Sequence, residues 1–221
     1  MKHATMLFSL EGLLFLLRWI HIMAGITWIG ILYYFNFVET PLFAAALSGQ
    51  ARSAGTRGPV PTALWWLRWA SMIALLSGWT IVVTHLLTGT ATMTYYSLVL
   101  TGGTLGTLMW LNTWFVFLPR QARPEAANQA PLASRASRTN TLFSIPMLFF
   151  MSSARNLSIA RSENPSYTPY VVFVLVVAFL FELNIFAGNA TTQRPLSTVA
   201  GTIHAGLGLT LVLLIAASAL L

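Results

Sequence analysis

Residues Leu13–Phe37 read LLFLLRWIHIMAGITWIGILYYFNF, an apolar run that is long enough to cross a bilayer as one helix. Similar runs recur along the 221-residue chain, which is 56% hydrophobic and only 8% charged. A soluble domain carries about 25% charged residues. The sequence therefore predicts an all-α, polytopic membrane helical bundle embedded in a lipid bilayer.

We predict about six transmembrane helices in a single integral membrane domain over residues 1–221. The predicted spans are Leu13 to Phe37, Ala63 to Leu87, Tyr95 to Leu118, Thr141 to Ser153, Tyr170 to Ala187 and Leu196 to Leu221. The fourth span is short and contains Pro146, which kinks a membrane helix. The two longest loops, around Ser48–Pro61 and Arg120–Arg138, carry too few large apolar residues to form a core and are predicted to be linkers or partner-contact loops.

The distribution of arginines predicts the orientation. They flank or fill the first, third and fifth loops and are missing from the second: Arg52, Arg57, Arg68, Arg120, Arg123, Arg135, Arg138 and Arg194. Because cytoplasmic loops are enriched in Arg and Lys, we expect both termini outside the cytoplasm, although Arg155 and Arg161 in the fourth loop depart from the pattern. In a bacterium this describes a multi-pass protein of the inner membrane.

Charge and cysteine content exclude several classes of function. The net charge of +7 is spread over membrane ends and forms no basic stripe with interleaved aromatics, so no nucleic-acid partner is predicted. The chain has no cysteine, which excludes disulfides, thiolate metal sites, iron–sulfur clusters and covalently attached haem. A redox cofactor would need His, Met or other non-thiol ligands.

Three histidines, His21, His85 and His204, lie within the apolar spans. Imidazole is costly among lipid tails and is a common metal ligand, so each histidine is a candidate functional residue. On the first helix, three- and four-residue steps place Arg18, His21, Gly25, Trp28 and Leu32 on one face, which we expect to turn inward. Gly25 would leave a hollow beside His21 for a flat ligand or a neighbouring helix.

On the last helix, His204 stands between Gly201 and Gly208, and its predicted depth is close to that of His21. Histidines on different helices can hold a haem iron from two sides, with an arginine nearer the water for a propionate. We therefore predict haem b, with His21 as first ligand, His204 or His85 as second ligand, and Arg18 at a propionate. The alternative is that each histidine simply donates to a backbone carbonyl of a neighbouring helix.

Glu182 is the other costly residue, and it lies at a predicted depth similar to that of His204. A Glu182–His204 hydrogen bond would orient the imidazole as an outer-shell carboxylate does. A proton-relay role is the competing interpretation. A third is that Glu182 lies close enough to the inner interface to reach water.

Four segments carry a resemblance to a known family. They are Arg18-Trp19-Ile20-His21 with Gly25, Trp28 and Gly30, then Leu76-Ser77-Gly78-Trp79, Met109-Trp110-Leu111-Asn112-Thr113-Trp114, and Ser137-Arg138-Thr139-Asn140-Thr141. Over about residues 10–155 the chain resembles the N-terminal membrane domain of the membrane-bound urate hydroxylases. The spacing of His21, Trp28 and Gly30 is also similar to that in haem-b helical bundles of the protoporphyrinogen oxidase and copper-resistance type, and this likeness implies that His21 is a cofactor ligand.

The chain departs from that family in one important respect. A urate hydroxylase of this type ends in a cytochrome c module with a Cys-x-x-Cys-His site, and this sequence contains no cysteine. We therefore expect a haem-b-binding electron-transfer or oxidoreductase subunit. It would pass electrons between a quinone or small reductant and a partner redox protein, as part of a larger membrane complex. The alternatives are a cofactor-free accessory or assembly subunit, and a proton-coupled transporter that uses Glu182 and His204.

Overall fold

The computed structural model describes residues 9–40, 59–121, 130–157 and 167–221. Within these ranges the chain forms helices and no strand. The six long helices are α1 Leu10–Tyr33, α2 Pro59–Thr88, α3 Met93–Leu111, α4 Ala130–Asn156, α5 Tyr167–Ala187 and α6 Val199–Leu220.

Two of these helices continue beyond their α-helical part. α1 runs on as a π-helical turn over Tyr34–Glu39, and α3 as a π-helical turn over Asn112–Phe117 followed by an α-helical turn over Leu118–Gln121. A short helix, Ala190–Gln193, and a 3-10 turn, Arg194–Leu196, lead into α6. π-helical turns recur at functional sites because they shift side chains and free backbone carbonyls.

Four of the long helices are long and apolar enough to cross a membrane. They are the helices over Leu10–Glu39, Val60–Thr88, Tyr167–Ala187 and Val199–Leu220. The described part of the chain is thus an all-α bundle of the kind that a lipid bilayer accommodates. The remaining two long helices, α3 and α4, are more polar and lie deeper in the bundle.

α4 is the central helix. It packs against α1, α3, α5 and α6, and 13 of its 27 residues are buried. Because its neighbours cover it, α4 can carry polar side chains that a lipid-facing helix could not. Glycines let these neighbours approach closely: a Cβ added to Gly102 of α3 would lie 3.1 Å from the Met147 carbonyl oxygen, and one added to Gly206 of α6 would lie 2.9 Å from that of Leu142.

The long helices overlap the predicted spans, but two of them begin within the predicted linkers. α2 begins at Pro59 instead of Ala63, so the predicted linker Ser48–Pro61 is wrong over residues 59–61. The fourth helix begins at Ala130 instead of Thr141, so the predicted linker Arg120–Arg138 is wrong over its last part. Hydropathy misses this stretch because its polar groups are satisfied by neighbouring helices and not by water. The first predicted linker lies outside the described residues over positions 48–58, as do Arg52, Arg57, Arg123 and Arg161.

Candidate functional site

The imidazole of His21 lies between α1 and α2. Its Nδ1 atom is 2.9 Å from the carbonyl oxygen of Ala74 and 3.1 Å from the hydroxyl of Ser77. A carbonyl oxygen only accepts hydrogen bonds, so Nδ1 carries the proton and donates it to Ala74. In the neutral ring Nε2 then holds the free lone pair, and it has no hydrogen-bond partner among the described residues.

Two glycines shape the surroundings of this ring. A Cβ added to Gly78 of α2 would lie 2.8 Å from Cε1 of His21, so the imidazole rests against bare backbone. A Cβ added to Gly25, one turn further along α1, would meet nothing within 4 Å. The same face continues inward through Trp28, which is 4% exposed and whose indole N–H has no partner within the described ranges, and through buried Leu32.

His85 is engaged at both ring nitrogens. A guanidinium nitrogen of Arg18 lies 2.9 Å from Nε2 of His85, and Nδ1 lies 2.7 Å from the hydroxyl of Thr90. Because arginine only donates, Nε2 accepts and Nδ1–H donates to Thr90. His85, predicted as an alternative second ligand, therefore offers no free lone pair in this arrangement, and Arg18, predicted for a propionate, donates to His85.

A second arginine lies near this pair. The guanidinium of Arg155, at the end of α4, lies over the ring of Tyr95 at 5.9 Å, and the Tyr95 and His85 rings meet edge to face at 6.0 Å. Neither Arg18 nor Arg155 forms an ion pair with a carboxylate of the described segments. Among the described residues, this end of the bundle consequently carries two guanidinium groups that no carboxylate pairs with.

His204 lies on the outward face of α6. Its side chain is exposed and has no hydrogen-bond partner in the described part of the chain. The buried face of α6 carries Thr202 and Gly206 and packs on α4, whereas α1 packs chiefly on α2. The structure therefore does not bring His204 to His21, because the two residues belong to different helix pairs. Gly201 lacks a side chain because the turn before α6 packs against it: an added Cβ would clash with the Pro195 carbonyl oxygen.

Glu182 belongs to a polar network that sequence reasoning missed. Its carboxylate accepts a hydrogen bond of 2.9 Å from Nδ2 of Asn112, the first residue of the π-helical turn after α3. Asn112 also donates to Oδ1 of Asn140 on α4, at 3.0 Å, and Asn140 donates to the carbonyl oxygen of Met109 and to the hydroxyl of Thr113. The predicted Glu182–His204 hydrogen bond is absent, because Glu182 faces α3 while His204 faces outward.

The network follows a repeated pattern. In α1, Asn36 of the π-helical turn donates to Ser137 of α4 at 2.8 Å, and the Tyr33 hydroxyl meets that of Ser144 at the same distance. An asparagine at each π-helical turn thus contacts a polar residue of α4. An asparagine in an apolar helix is itself a costly residue, and this signal would have drawn attention to Asn112 and Asn140.

Comparisons with known proteins assign no family. No protein-family model matches the chain, and no curated protein or solved structure is significantly similar to it. The resemblance to urate hydroxylases stays a prediction. Among the described residues no three His, Cys, Asp or Glu side chains are grouped to hold a metal ion.

Proposed function

We propose that this protein is a haem-b-binding membrane subunit in which Nε2 of His21 is the axial ligand that the chain supplies. One observation carries the proposal: Nδ1 of His21 donates to the Ala74 carbonyl, and Nε2 has no partner within the described segments. Metal-binding histidines commonly donate their second ring nitrogen in this way, which fixes the tautomer and the ring plane. Gly78 lets the ring lie close against α2, and the open space at Gly25, one turn along α1, leaves room for a flat group on the same face of the helix.

The cationic end of the bundle supports the same proposal. Arg18 lies one turn from His21 towards the start of α1, and Arg155 lies close to the Arg18–His85 pair through Tyr95. Two guanidinium groups with no carboxylate partner in the described segments suit the two propionates of a haem. Arg18 retains donors for this purpose, since a guanidinium has five N–H groups and its one hydrogen bond within the described residues is that to His85.

In this proposal the chain contributes one axial nitrogen and an apolar environment that tunes the potential of the iron. The described residues place no second histidine opposite His21. Bound haem would supply one-electron chemistry between a quinone or small reductant and a partner redox protein. We propose six membrane crossings, with both termini outside the cytoplasm of a bacterial inner membrane, since the arginine-rich loops would then face inward.

The test is the absorbance of the protein purified in detergent, with and without a ligand substitution. We expect a Soret band and a reduced-minus-oxidised α band in the wild type, and loss of both in His21→Ala. His204→Ala is the matched control, because its exposed imidazole has no partner in the described structure, and it should keep the spectrum.

A second variant separates lost ligation from misfolding. In His21→Gly, added imidazole should restore the spectrum, because a free imidazole can occupy the space of the missing side chain. Full haem content in His21→Ala would rule out this ligand assignment. A stable, colourless wild-type protein would instead favour the cofactor-free accessory subunit.

A further inference from the structure

A cavity of about 240 Å³ lies at the opposite end of the bundle from Arg18, where the end of α1, the first half of α4 and the start of α6 meet. Apolar groups form part of its wall, and its polar side chains are those of Asn36, Thr40, Arg138, Thr141, Ser197, Thr198 and Thr202. No acidic side chain of the described segments lines it. At about 30 Å³ per water molecule the cavity has room for about eight waters, which is more than a bare oxyanion fills.

Arg138 gives the cavity its positive charge. Its guanidinium donates to the carbonyl oxygen of Leu196, and it has no other partner among the described residues. A guanidinium carries five N–H donors, so most of them are unused. A half-buried arginine with spare donors and no carboxylate favours a negatively charged group beside it.

The first turn of α6 adds a backbone donor to the cavity. Thr198 caps the helix by accepting from the Gly201 amide at 3.0 Å, and the first backbone bond joins the amide of Thr202 to the Thr198 carbonyl. The amide of Val199, which lines the cavity, comes before that bond and lacks a helical partner. The helix dipole adds positive potential at this end.

Other side chains of the cavity offer acceptors. The hydroxyls of Thr40, Thr141 and Thr202 donate their protons to backbone carbonyls of their own helices, which leaves their oxygen lone pairs. Asn36 uses its amide hydrogens on Leu32 and Ser137, so its Oδ1 atom is free to accept. A ligand that fills the cavity therefore needs hydroxyl donors as well as an anionic group.

We propose that this cavity binds a phosphate ester of a small polyol, with the phosphate at Arg138 and the Val199 amide and the polyol hydroxyls at the free oxygen acceptors of the asparagine and threonine side chains. Two sources share this chemistry: the headgroup of phosphatidylglycerol, and free glycerol phosphate. The site is independent of the haem proposal, because none of its residues contacts His21.

The experiment measures the thermal stability and ligand affinity of the full-length protein. Glycerol phosphate is titrated against the protein in neutral detergent at constant ionic strength, and the melting temperature is compared in phosphatidylcholine nanodiscs with and without phosphatidylglycerol. Stabilisation by glycerol phosphate supports the free ester as ligand, and stabilisation by phosphatidylglycerol alone supports the lipid headgroup.

Arg138→Gln should weaken binding about tenfold or more, because it removes a charge-assisted contact. The matched control is Arg135→Gln: Arg135 lies one turn earlier on α4 and also donates to a backbone carbonyl, that of Ile185, but it does not line the cavity. Its variant should bind as the wild type does.

Val199→Pro removes the backbone N–H of residue 199 and leaves Arg138 in place, so it tests the contribution of that amide to binding. Proline is favoured at the first position of a helix, and Thr198 before it has ψ 157°, the extended conformation that a residue before proline prefers. We expect the helix to persist and binding to weaken about threefold or more. The proposal is overturned if neither ligand stabilises the wild type, or if Arg138→Gln responds as Arg135→Gln does.

Discussion

The hydrogen bond from His21 to the Ala74 carbonyl decides what that imidazole can do. Had Nδ1 been the free nitrogen, the lone pair would point at the backbone of α2, where no ligand could approach. With Nδ1 protonated, Nε2 is the nitrogen left for coordination. The geometry depends on the missing side chain of Gly78, against which the ring rests.

Gly78→Ala should therefore disturb His21. The new Cβ would lie 2.8 Å from Cε1, closer than packed atoms approach, so the ring must move away from Ala74. Overpacking of this kind costs about 1–3 kcal/mol. We expect a lower free energy of unfolding in a denaturant titration and a lower haem content.

The matched control is Gly103→Ala on α3, where an added Cβ meets nothing within 4 Å. Alanine is the better helix former by about 1 kcal/mol, so this variant should be as stable as the wild type or more so. Equal stability and equal haem content in the two variants would contradict the described contact.

From the sequence, the residues of this site can be singled out individually, but their contacts cannot be predicted. Arg18, His21 and His85 are each costly in an apolar helix, and helical spacing places the first two on one face of α1. The pairing of Arg18 with His85 needs the register of α1 against α2, which no periodicity within one helix contains. The exposed position of His204 likewise depends on which face of α6 meets α4.

At the level of the elements, α4 organises the bundle through polar contacts. Hydropathy located the apolar half of this helix and missed its first turns, because residues such as Ser137 and Asn140 are polar yet buried. Their partners are residues of the π-helical turns of α1 and α3, and π-helical turns leave no signature in hydropathy. The hydrogen-bond network could therefore not be predicted from the sequence, although the asparagines that form it stand in apolar helices and can be picked out there.

Asn140→Ala should destabilise the fold, since this side chain accepts from Asn112 and donates to Met109 and Thr113. Interhelical hydrogen bonds in membrane proteins contribute about 0.6 kcal/mol each, so the expected loss is about 1–3 kcal/mol. Reversible unfolding in mixed micelles measures it.

Asn156→Ala on the same helix is the control. Asn156 is exposed and donates only to the Ser152 carbonyl of its own helix, so its replacement should change stability by less than about 0.5 kcal/mol. If the two alanine variants unfold alike, the network around Asn140 does not stabilise the bundle.

For the whole molecule, the proposed topology is open to a direct test, because the chain has no cysteine and any introduced thiol is unique. Ala91 lies between α2 and α3, on the side proposed to face outward, and Gln121 ends the helical continuation of α3, on the side proposed to face the cytoplasm. A membrane-impermeant maleimide added to intact cells should label Ala91→Cys and leave Gln121→Cys unlabelled until the cells are lysed. The reverse labelling pattern would show that the orientation is the opposite of the one proposed.

The central claim is that this bundle holds a b-type haem. A pyridine haemochrome assay on the protein extracted from its native membrane measures it directly. We expect the haemochrome spectrum of haem b at one haem per chain, with the haem released by acidified acetone because no cysteine attaches it. A native preparation that is folded and monodisperse but contains no haem would contradict the account.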